Sequence, residues 1–304
     1  MSQEFLRSRG CSGVDLMTSV AVVQSSDIAD AVCSLYREIN VNLREDVSQA
    51  LEQAFQQEES DQAREVLRQI LENRDISAKE ELPLCQDTGL AVALVEIGNH
   101  VLVEGETVQQ AVSRGVARAQ RDHPLRASIV SDPLARENTG DNTPAITHLE
   151  QVEGEKLTIS LMAKGGGAEN MSRVFMLAPA DGREGVVDSV VSAVKEAGAN
   201  PCPPVIVGVG LGGDFEMAPM LAKRALFRSL GSSNEDPELD GLEEEMLEQI
   251  NRLGIGPQGF GGRTTALDVL IESHPCHIAS LPLAVNLVCH SHRHGRVELC
   301  GDIE

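Results

Sequence analysis

The stretch Asn-Pro-Cys-Pro-Pro-Val-Ile-Val-Gly-Val-Gly-Leu-Gly-Gly at residues 200–213 holds the most telling pattern in this 304-residue chain. Its prolines predict a turn that carries Cys202, and the apolar run after them predicts a buried strand. A helix over about 215–228 should follow. This order predicts a mixed core of strands and helices that presents the cysteine at one end of a strand.

The glycines of this stretch match G-x-G-x-x-G, the pattern that opens dinucleotide-binding folds, but the pattern alone is weak. A nicotinamide site needs a second strand that ends in an acidic residue about 20 residues later. Residues 229–237 have instead the composition of a loop. A tight turn that brings backbone amides to an anionic ligand is therefore the favoured interpretation.

Two further cysteines stand in similar surroundings, Cys85 in Pro-Leu-Cys-Gln-Asp-Thr-Gly and Cys289 in Asn-Leu-Val-Cys-His-Ser-His. Three thiolates from distant segments suit an iron–sulfur cluster with one open corner, whereas a closed cluster usually takes four cysteines. An iron without a protein thiolate can bind substrate as a Lewis acid. Three buried structural cysteines are the alternative, and spacing alone favours that alternative.

Hydrophobic periodicity divides the chain into a helical front and a mixed core. Residues 1–24 show no clear period and are expected to form a loosely held extension. Helical faces recur over about 25–80, and strands alternate with helices over about 81–304. The predicted core elements are strands at 90–97, 157–163, 205–210, 267–272, 283–288 and 296–299 and helices at 107–120, 184–197, 215–228 and 237–252. The sequence thus predicts one α+β domain over 25–304, a helical N-terminal section followed by a Gly-rich mixed α/β core.

Composition excludes several classes of protein. The formal net charge of −22 disfavours a nucleic-acid partner, and no basic cluster overrides it. No stretch approaches the roughly 20 apolar residues of a membrane span, and no secretory signal is visible. Seven cysteines without the dense spacing of a disulfide scaffold indicate a reducing cytoplasm.

Histidines and cysteines also cluster toward the C-terminal end: His274, Cys276, His277, Cys289, His290, His292 and His294. This cluster raises the alternative of a zinc site, although the C-x-x-C pairs of structural zinc sites are missing. On a strand, His290, His292 and His294 would share one face. We expect His292 and His294 to be solvated at a polar strand end.

Polar residues accompany the cysteines in a number that capped turns alone do not explain. Asp87 follows the first cysteine by two residues, and Arg126 follows Pro-Leu. Residues 138–146 form a long polar run that enters a strand. Residues 164–167, Lys-Gly-Gly-Gly, offer a cation and a flexible backbone for carboxylate binding, and the glycines of residues 254–262 allow close backbone approach.

These residues make the chain resemble the iron–sulfur hydro-lyases of the class I fumarase and tartrate dehydratase type, specifically the separate α subunit of the two-subunit enzymes. The matching segments are CQDTG (85–89), LRASIV (125–130), NTGDNTPA (138–145), KGGGAEN (164–170), NPCPPVIVGVGLGG (200–213), GIGPQGFGG (254–262) and HIASLPLAVNLVC (277–289). As a set they are highly specific.

The resemblance implies a [4Fe–4S] cluster held by Cys85, Cys202 and Cys289, with the fourth iron open to a small dicarboxylate substrate. Arg126 would clamp the distal carboxylate by bidentate pairing. Asp87 is the expected acid that protonates the departing hydroxyl group.

In the same resemblance, His277 would tune or support that acid, and Gln86 would orient the substrate. The backbone of four consecutive residues would share this orienting role: Lys164, Gly165, Gly166 and Gly167.

The resemblance also implies a partner. Single-chain enzymes carry a further swivelling domain of roughly 200 residues, which supplies the carbon base. We therefore expect a separate β subunit with that domain, two copies of each subunit in the assembly, and no activity from this chain alone.

KGGGAEN and NTGDNTPA favour fumarate hydratase, the reversible conversion of fumarate and water into (S)-malate. An L-tartrate dehydratase or a mesaconase-type hydro-lyase stays open. The residues after Cys289 depart from the Ser-Ala-Asp-Arg of single-chain fumarases, which leaves the roles of residues 290–293 open. A non-catalytic metal-binding scaffold is the alternative from a different class.

Overall fold

A computed structural model describes residues 20–303 of the chain. Within this range the helices are α1 (Ser25–Val41), α2 (Glu45–Gln57), α3 (Asp61–Glu80), α4 (Val108–Asp122), α5 (Gly166–Glu169), α6 (Gly182–Ala197), α7 (Met217–Ala225) and α8 (Pro237–Asn251). The strands are β1 (Ala21–Gln24), β2 (Leu90–Gly98), β3 (Val101–Glu104), β4 (Ile146–Val152), β5 (Lys156–Lys164), β6 (Arg173–Leu177), β7 (Val205–Gly212), β8 (Ala266–His274), β9 (Leu281–Val288), β10 (His294–Cys300) and β11 (Asp302–Ile303).

The strands form one small sheet and two four-stranded mixed sheets. The small sheet has the order β11-β1-β3, and the larger ones have the orders β10-β5-β2-β4 and β6-β9-β7-β8. Strand pairs β5–β2 and β7–β9 are antiparallel, whereas β2–β4 and β7–β8 are parallel. The mixed α+β fold predicted from the sequence is confirmed.

Each larger sheet is covered by helices whose apolar stripes face it. Helices α1 and α4 pack on β2 and β5 through residues such as Ile28, Val112 and Ile159, which are fully buried. Helices α6 and α8 cover the other sheet through Val190 and Met246, also fully buried. Burial of one such side chain contributes about 1.5–3 kcal/mol, so these stripes fix which helix face meets which sheet.

The glycines at 208 and 210 belong to a strand and not to a ligand-binding turn. An ideal Cβ built on Gly208 would lie 2.2 Å from the Ala222 carbonyl oxygen. One built on Gly210 would lie 1.9 Å from the Ala218 carbonyl oxygen. The lack of a side chain at these two positions therefore lets helix α7 lie directly on β7. The interpretation of these two glycines as a turn that offers backbone amides to an anion is wrong, because both lie within strand β7.

The helical section predicted over about 25–80 contains α1 to α3, and every predicted core strand and helix has a counterpart within a few residues. Residues 21–24, expected in a loose extension, form β1 and pair with β3 and β11. The rest of that expected extension, residues 1–19, lies outside the described residues. No helix of residues 20–303 is long and apolar enough to cross a membrane.

Candidate metal and substrate site

Strand pairing brings two of the predicted cysteines together. Strand β7 runs antiparallel to β9, with Ile206 opposite Val288. The turn before β7 carries Cys202, and Cys289 follows β9 directly. Because the start of one antiparallel strand lies beside the end of its partner, both cysteines lie at the same sheet edge.

The other sheet brings the remaining segments to the same region. Leu90 of β2 pairs with the last residue of β5, so residues 85–89 lie beside residues 164–167. The Ala163 backbone N–H donates to the carbonyl of Arg293 at 2.9 Å, which joins this edge to the segment after β9. Four loops together are called the cysteine site below: residues 85–89, 164–167, 200–204 and 289–293.

The three predicted ligand cysteines are free thiols. Burial raises the pKa of Cys85 and of Cys202, and the negative charge of neighbouring cysteine sulfurs raises both further. The Asp87 backbone N–H lies 3.5 Å from the Cys85 Sγ, and the Cys289 Sγ lies 3.1 Å from the Ser291 hydroxyl. Segments distant in sequence thus place their sulfurs in one electrostatic neighbourhood.

Cys202 is held in an unfavourable backbone conformation by its neighbours. Its φ is 57°, in the left-handed region that costs a residue with a Cβ about 1–2 kcal/mol. The backbone and side-chain amides of Gln258 both donate to the Pro203 carbonyl, at 2.7 and 3.0 Å. His290 Nδ1 lies 3.0 Å from the Cys202 carbonyl oxygen. Sequence reasoning missed Gln258 and His290 as supports, although the glycine-rich surroundings of Gln258 were a signal.

Asp87 is anchored on three segments at once. Its Oδ1 accepts hydrogen bonds from the Gly89 backbone N–H and the Ser128 hydroxyl, both at 3.0 Å. Its Oδ2 accepts the Gly166 backbone N–H at 2.9 Å. Among the described contacts Oδ2 has this one donor, so a second lone pair on it is open to hold a proton.

The glycines at 165–167 are not required by the packing of the protein. A Cβ at any of the three would come no closer than 3.4 Å to a protein atom, at the Asn200 carbonyl oxygen. Gly89, by contrast, has a φ of 78°, and a Cβ there would lie 2.3 Å from the Lys164 carbonyl oxygen. The space in front of residues 165–167 can therefore admit a ligand close to the backbone.

Arg126 combines a fixed backbone with an open side chain. Its backbone N–H donates to the Thr88 hydroxyl at 2.8 Å, and its carbonyl accepts from the Asn142 side chain at 2.9 Å. The exposed guanidinium has no hydrogen bond or ion pair in the described part of the chain. Gln86 is also exposed, and its Oε1 lies 3.5 Å from the Cys85 Sγ. Both side chains can reach a ligand.

The Lys164 side chain is directed inward. Its ammonium group is buried and donates to the Leu287 carbonyl at 2.6 Å and to Glu169 at 2.8 Å. Burial opposes the charge of Glu169, but Lys164 and Lys223 outweigh it and hold the pKa of this carboxyl at about 2. The expected use of the Lys164 cation for carboxylate binding is therefore replaced by a structural ion pair, which leaves only its backbone at the site.

His277 lies at the wrong end of the sheet for its expected role. It precedes β9, whereas Cys289 follows it, and strands advance about 3.3 Å per residue, so the two ends of β9 are roughly 23 Å apart. The exposed His277 lines a separate cavity of about 710 Å³. Within one chain it therefore does not support Asp87, and neighbouring sequence motifs did not reveal this separation.

The expectation of solvated histidines at 292 and 294 is wrong. Both side chains are buried, with His292 Nε2 bonded to the Leu226 carbonyl at 2.7 Å and the two rings 4.2 Å apart. Burial lowers the pKa of His292 to about 4, so its ring is neutral at pH 7. Strand β10 begins only at His294, so the expected shared strand face of His290, His292 and His294 does not form.

The donors at the cysteine site fit a multi-iron cluster better than a single ion. Among residues 20–303, no three His, Cys, Asp or Glu side chains converge enough to hold one metal ion. A mononuclear zinc site requires such convergence of its ligands. In a four-iron cluster each cysteine binds a different iron, so three thiols around a shared space suffice. The N–H and O–H groups beside the Cys85 and Cys289 sulfurs suit thiolates in such a cluster.

Comparison with known proteins agrees with this geometry. The profile of the family described as Fumarate hydratase (Fumerase) matches residues 29–298. The "Putative L(+)-tartrate dehydratase subunit alpha" of Methanocaldococcus jannaschii is 42% identical over 272 residues, which cover 88% of this chain and 95% of the relative. Proteins named L(+)-tartrate dehydratase subunit alpha from Escherichia coli K12 and Shigella sonnei are each 31% identical over 279 residues, 91% of this chain and 92% of theirs.

The match extends beyond the segments at the cysteine site. It begins within α1 and ends within β10, so it includes both larger sheets and the helical front. The resemblance inferred from the motifs is thereby confirmed: the chain belongs to the fumarate hydratase (Fumerase) family of class I iron–sulfur hydro-lyases, as a relative of its α subunits.

Proposed function

We propose that this chain is the α subunit of an iron–sulfur hydro-lyase that removes water from, or adds it to, a small hydroxy-dicarboxylate. The observation that carries the proposal is the cysteine site itself. Two sheets bring three free cysteines to one region, beside the anchored carboxylate of Asp87 and the exposed guanidinium of Arg126. Three cysteines with a purely structural role would not need a carboxylate and a guanidinium group beside them.

Cys85, Cys202 and Cys289 would hold a [4Fe–4S] cluster. When bound, such a cluster with three cysteine ligands supplies a Lewis-acidic iron at its fourth corner. The six free cysteines among the described residues agree with a reducing cytoplasm as the place of function.

Substrate binding falls to the exposed groups of the site. Arg126 can meet a carboxylate with two parallel hydrogen bonds, because its guanidinium is exposed and has no partner within residues 20–303, and its backbone is fixed at both sides. Gln86 and the backbone of residues 165–167 orient the rest of the substrate. The absence of side chains at these glycines lets the substrate approach the backbone without a clash.

Asp87 is the proposed proton donor to the departing hydroxyl group, and acceptor of that proton in the reverse direction. The proton resides on Oδ2, where one lone pair is open, while the Gly89, Ser128 and Gly166 donors hold the carboxyl group in place. Fixed donors of this kind cost no reorganisation during the reaction.

A separate β subunit would complete the site. The relatives are named as subunit alpha, which supports a second chain in the assembly. We assign to that chain the carbon base and the exclusion of water from the exposed side of the cysteine site, since Gln86, Arg126 and Cys202 are open to solvent in the α chain. The proposed assembly has two copies of each subunit.

The fumarate–malate reaction is the substrate pair that we propose first, on the basis of the 138–145 and 164–170 segments. L(+)-tartrate is the second candidate, because relatives that match about nine tenths of this chain carry that substrate in their names. A mesaconase-type hydration is the third.

The experiment is co-expression with the β subunit, anaerobic reconstitution with iron and sulfide, and assay of malate, L(+)-tartrate and mesaconate. We expect turnover of one hydroxy-diacid by the complex, with malate preferred, and none by the α chain alone. Preference for tartrate would move the second candidate to first place. A fully loaded complex that turns over none of the three would overturn the proposed function in favour of a metal-binding scaffold.

A further inference from the structure

Arg293 is a buried cation without an acidic partner in an ion pair among the described residues. Its side chain is fully enclosed, with a residue exposure of 2%, and it forms no ion pair within residues 20–303. A guanidinium group remains charged in any protein environment. Burial of an uncompensated charge is strongly unfavourable, so this arginine needs a source of negative charge that the ion pairs of the fold do not provide.

The contacts of Arg293 are neutral and incomplete. Its Nη1 donates to Asn40 Oδ1 at 2.9 Å and to the Thr88 carbonyl at 3.4 Å. Its Nε is buried and has no hydrogen-bond partner among the described residues, and the same is true of the nearby Tyr36 hydroxyl. These contacts fix helix α1 to the loop of residues 85–89, but neutral oxygens alone do not balance a buried charge.

The position of Arg293 identifies what balances it. The ideal Cβ position of Gly165 is 3.6 Å from Arg293 Nη2 and 3.5 Å from Asp87 Oδ2, so the cation and the carboxylate flank the same glycine. Arg293 also acts electrostatically on the Cys85 sulfur. The negative groups around it are thus those of the cysteine site.

We propose that Arg293 is a positioning residue for the cysteine site: its permanent charge compensates the combined negative charge of the three thiolates and Asp87, and its contacts fix the loop of residues 85–89. This inference rests on the proposed function, because the anionic centre is complete only when the cysteines are thiolates that hold the cluster. Arg293 does not touch the substrate. It acts by setting the electrostatic potential at the cluster and at the Asp87 carboxylate.

The test is the one-electron midpoint potential of the cluster in the anaerobically reconstituted α/β complex. Arg293→Met removes the charge and keeps much of the volume. We expect a shift to more negative potential by about 59 mV or more, a tenfold change in the one-electron equilibrium, because loss of a nearby cation disfavours addition of an electron. In steady-state assays kcat should fall tenfold or more, with KM for the preferred hydroxy-diacid changed less than twofold.

The matched control is Arg228→Met. Arg228 is another largely buried arginine, but it is paired with Glu243 and bonded to the Ile271 carbonyl beneath helix α8. Its replacement should lower thermal stability and leave the midpoint potential unchanged. A purely structural Arg293 would behave in the same way, so an unchanged potential in the Arg293→Met complex overturns the inference.

Two further variants keep the test decisive. If Arg293→Met fails to fold, Arg293→Gln removes the charge while its amide can still bond Asn40, and it should show the same negative shift. If neither neutral variant retains a cluster, the Arg293→Lys variant decides whether a positive charge is required at this position. Retention of the cluster at the wild-type potential supports the charge requirement, and loss of the cluster in the lysine variant contradicts it. A wild-type complex that binds no iron refutes the proposed function instead.

Discussion

The two ends of strand β9 differ sharply in how their surroundings are built. At the carboxyl end, the loops around Cys289 are joined by hydrogen bonds that Gln258 and Ala163 donate and that the Asp87 carboxylate accepts. At the amino end, residues 275–279 are exposed, and the Ile278 side chain is 91% exposed beside an open cavity. The carboxyl end of β9 is thus held by hydrogen bonds between loops and carries charged groups. The amino end is exposed to solvent and partly apolar.

This difference shows that the place of a residue on its strand decides its role more than its neighbours in sequence do. His277 and Cys289 belong to one family segment, yet β9 holds them at opposite ends. A cysteine or histidine at the amino end of β9 therefore cannot replace one at the carboxyl end. Substitutions in the cysteine site, each paired with a control residue away from it, test that separation.

The largest effect is expected from the cysteines. Cys289→Ser, Cys202→Ser or Cys85→Ser should each abolish the cluster absorbance and acid-labile sulfide of the reconstituted protein, because three thiolates are the minimum for the proposed set. Cys276→Ser, at the amino end of β9, is the matched control and should retain the full cluster. Loss of the cluster in the Cys276 variant with retention in the Cys289 variant would reverse the assignment of the two ends.

The second effect is expected at Asp87. Asp87→Asn keeps the shape of the side chain but removes the proton carrier and places an amide N–H₂ near a backbone donor. We expect kcat to fall about 10²–10⁴-fold with the cluster intact. The control is Asp236→Asn, a carboxylate that also accepts a backbone N–H, but as the N-cap of α8. Near-normal kcat in the Asp87 variant would remove this residue from proton transfer.

The third effect is expected at Arg126. Arg126→Lys keeps the charge and loses the planar fork, which should cost about 1.5–3 kcal/mol of substrate binding, roughly a 10- to 100-fold fall in kcat/KM. Thermal unfolding and the cluster spectrum should not change. Arg121→Lys, on an exposed helix face beside Asp122, serves as the control. Equal kinetics in both lysine variants would show that Arg126 makes no contact with the substrate.

The smallest effect is one of stability, at the ion pair beneath the site. Glu169→Gln leaves the buried Lys164 without its carboxylate. Because the Glu169 side chain is 36% exposed and water screens the pair, the free energy of unfolding at pH 7 should fall by about 1 kcal/mol. The pKa of Glu169 is lowered to about 2 from an ordinary value near 4.3. Its contribution is therefore present above pH about 4.3 and is lost as the pH falls toward 2.

Urea unfolding of wild type and the Glu169→Gln variant at several pH values between 7 and 3 checks this prediction. The difference between the two proteins should shrink below pH about 4.3. A difference that stays constant across this range would mean that the charge of Glu169 does not stabilise the fold.

Local patterns in the sequence were sufficient to predict most of the helices and strands. The apolar run at 205–210 and the amphipathic stretch at 107–120 depend on short-range periodicity, and both have their counterparts in β7 and α4. The same short range is the reason why the Gly208 and Gly210 pattern was ambiguous. Only the tertiary packing of α7 against β7 shows that these glycines make room for a helix.

Site residues that stand in distinctive motifs could be predicted from the sequence. Residues that support them from distant segments of the chain could not. Cys202 and Asp87 are marked by prolines and glycines around them. Asn40 and Tyr36, which surround Arg293, lie in an ordinary amphipathic helix with no local signal. The inward direction of Lys164 depends on Glu169 and the Leu287 carbonyl, contacts that no spacing rule contains.

We propose that the cysteine site holds a four-iron cluster with one iron free for substrate. Mössbauer spectroscopy of the α/β complex reconstituted anaerobically with ⁵⁷Fe tests it most directly. We expect four irons per α chain, one of which changes its isomer shift and quadrupole splitting when malate or L(+)-tartrate is added, while three do not. Four irons that all stay unchanged with every hydroxy-diacid tested, or a folded complex that takes up no iron, would contradict it.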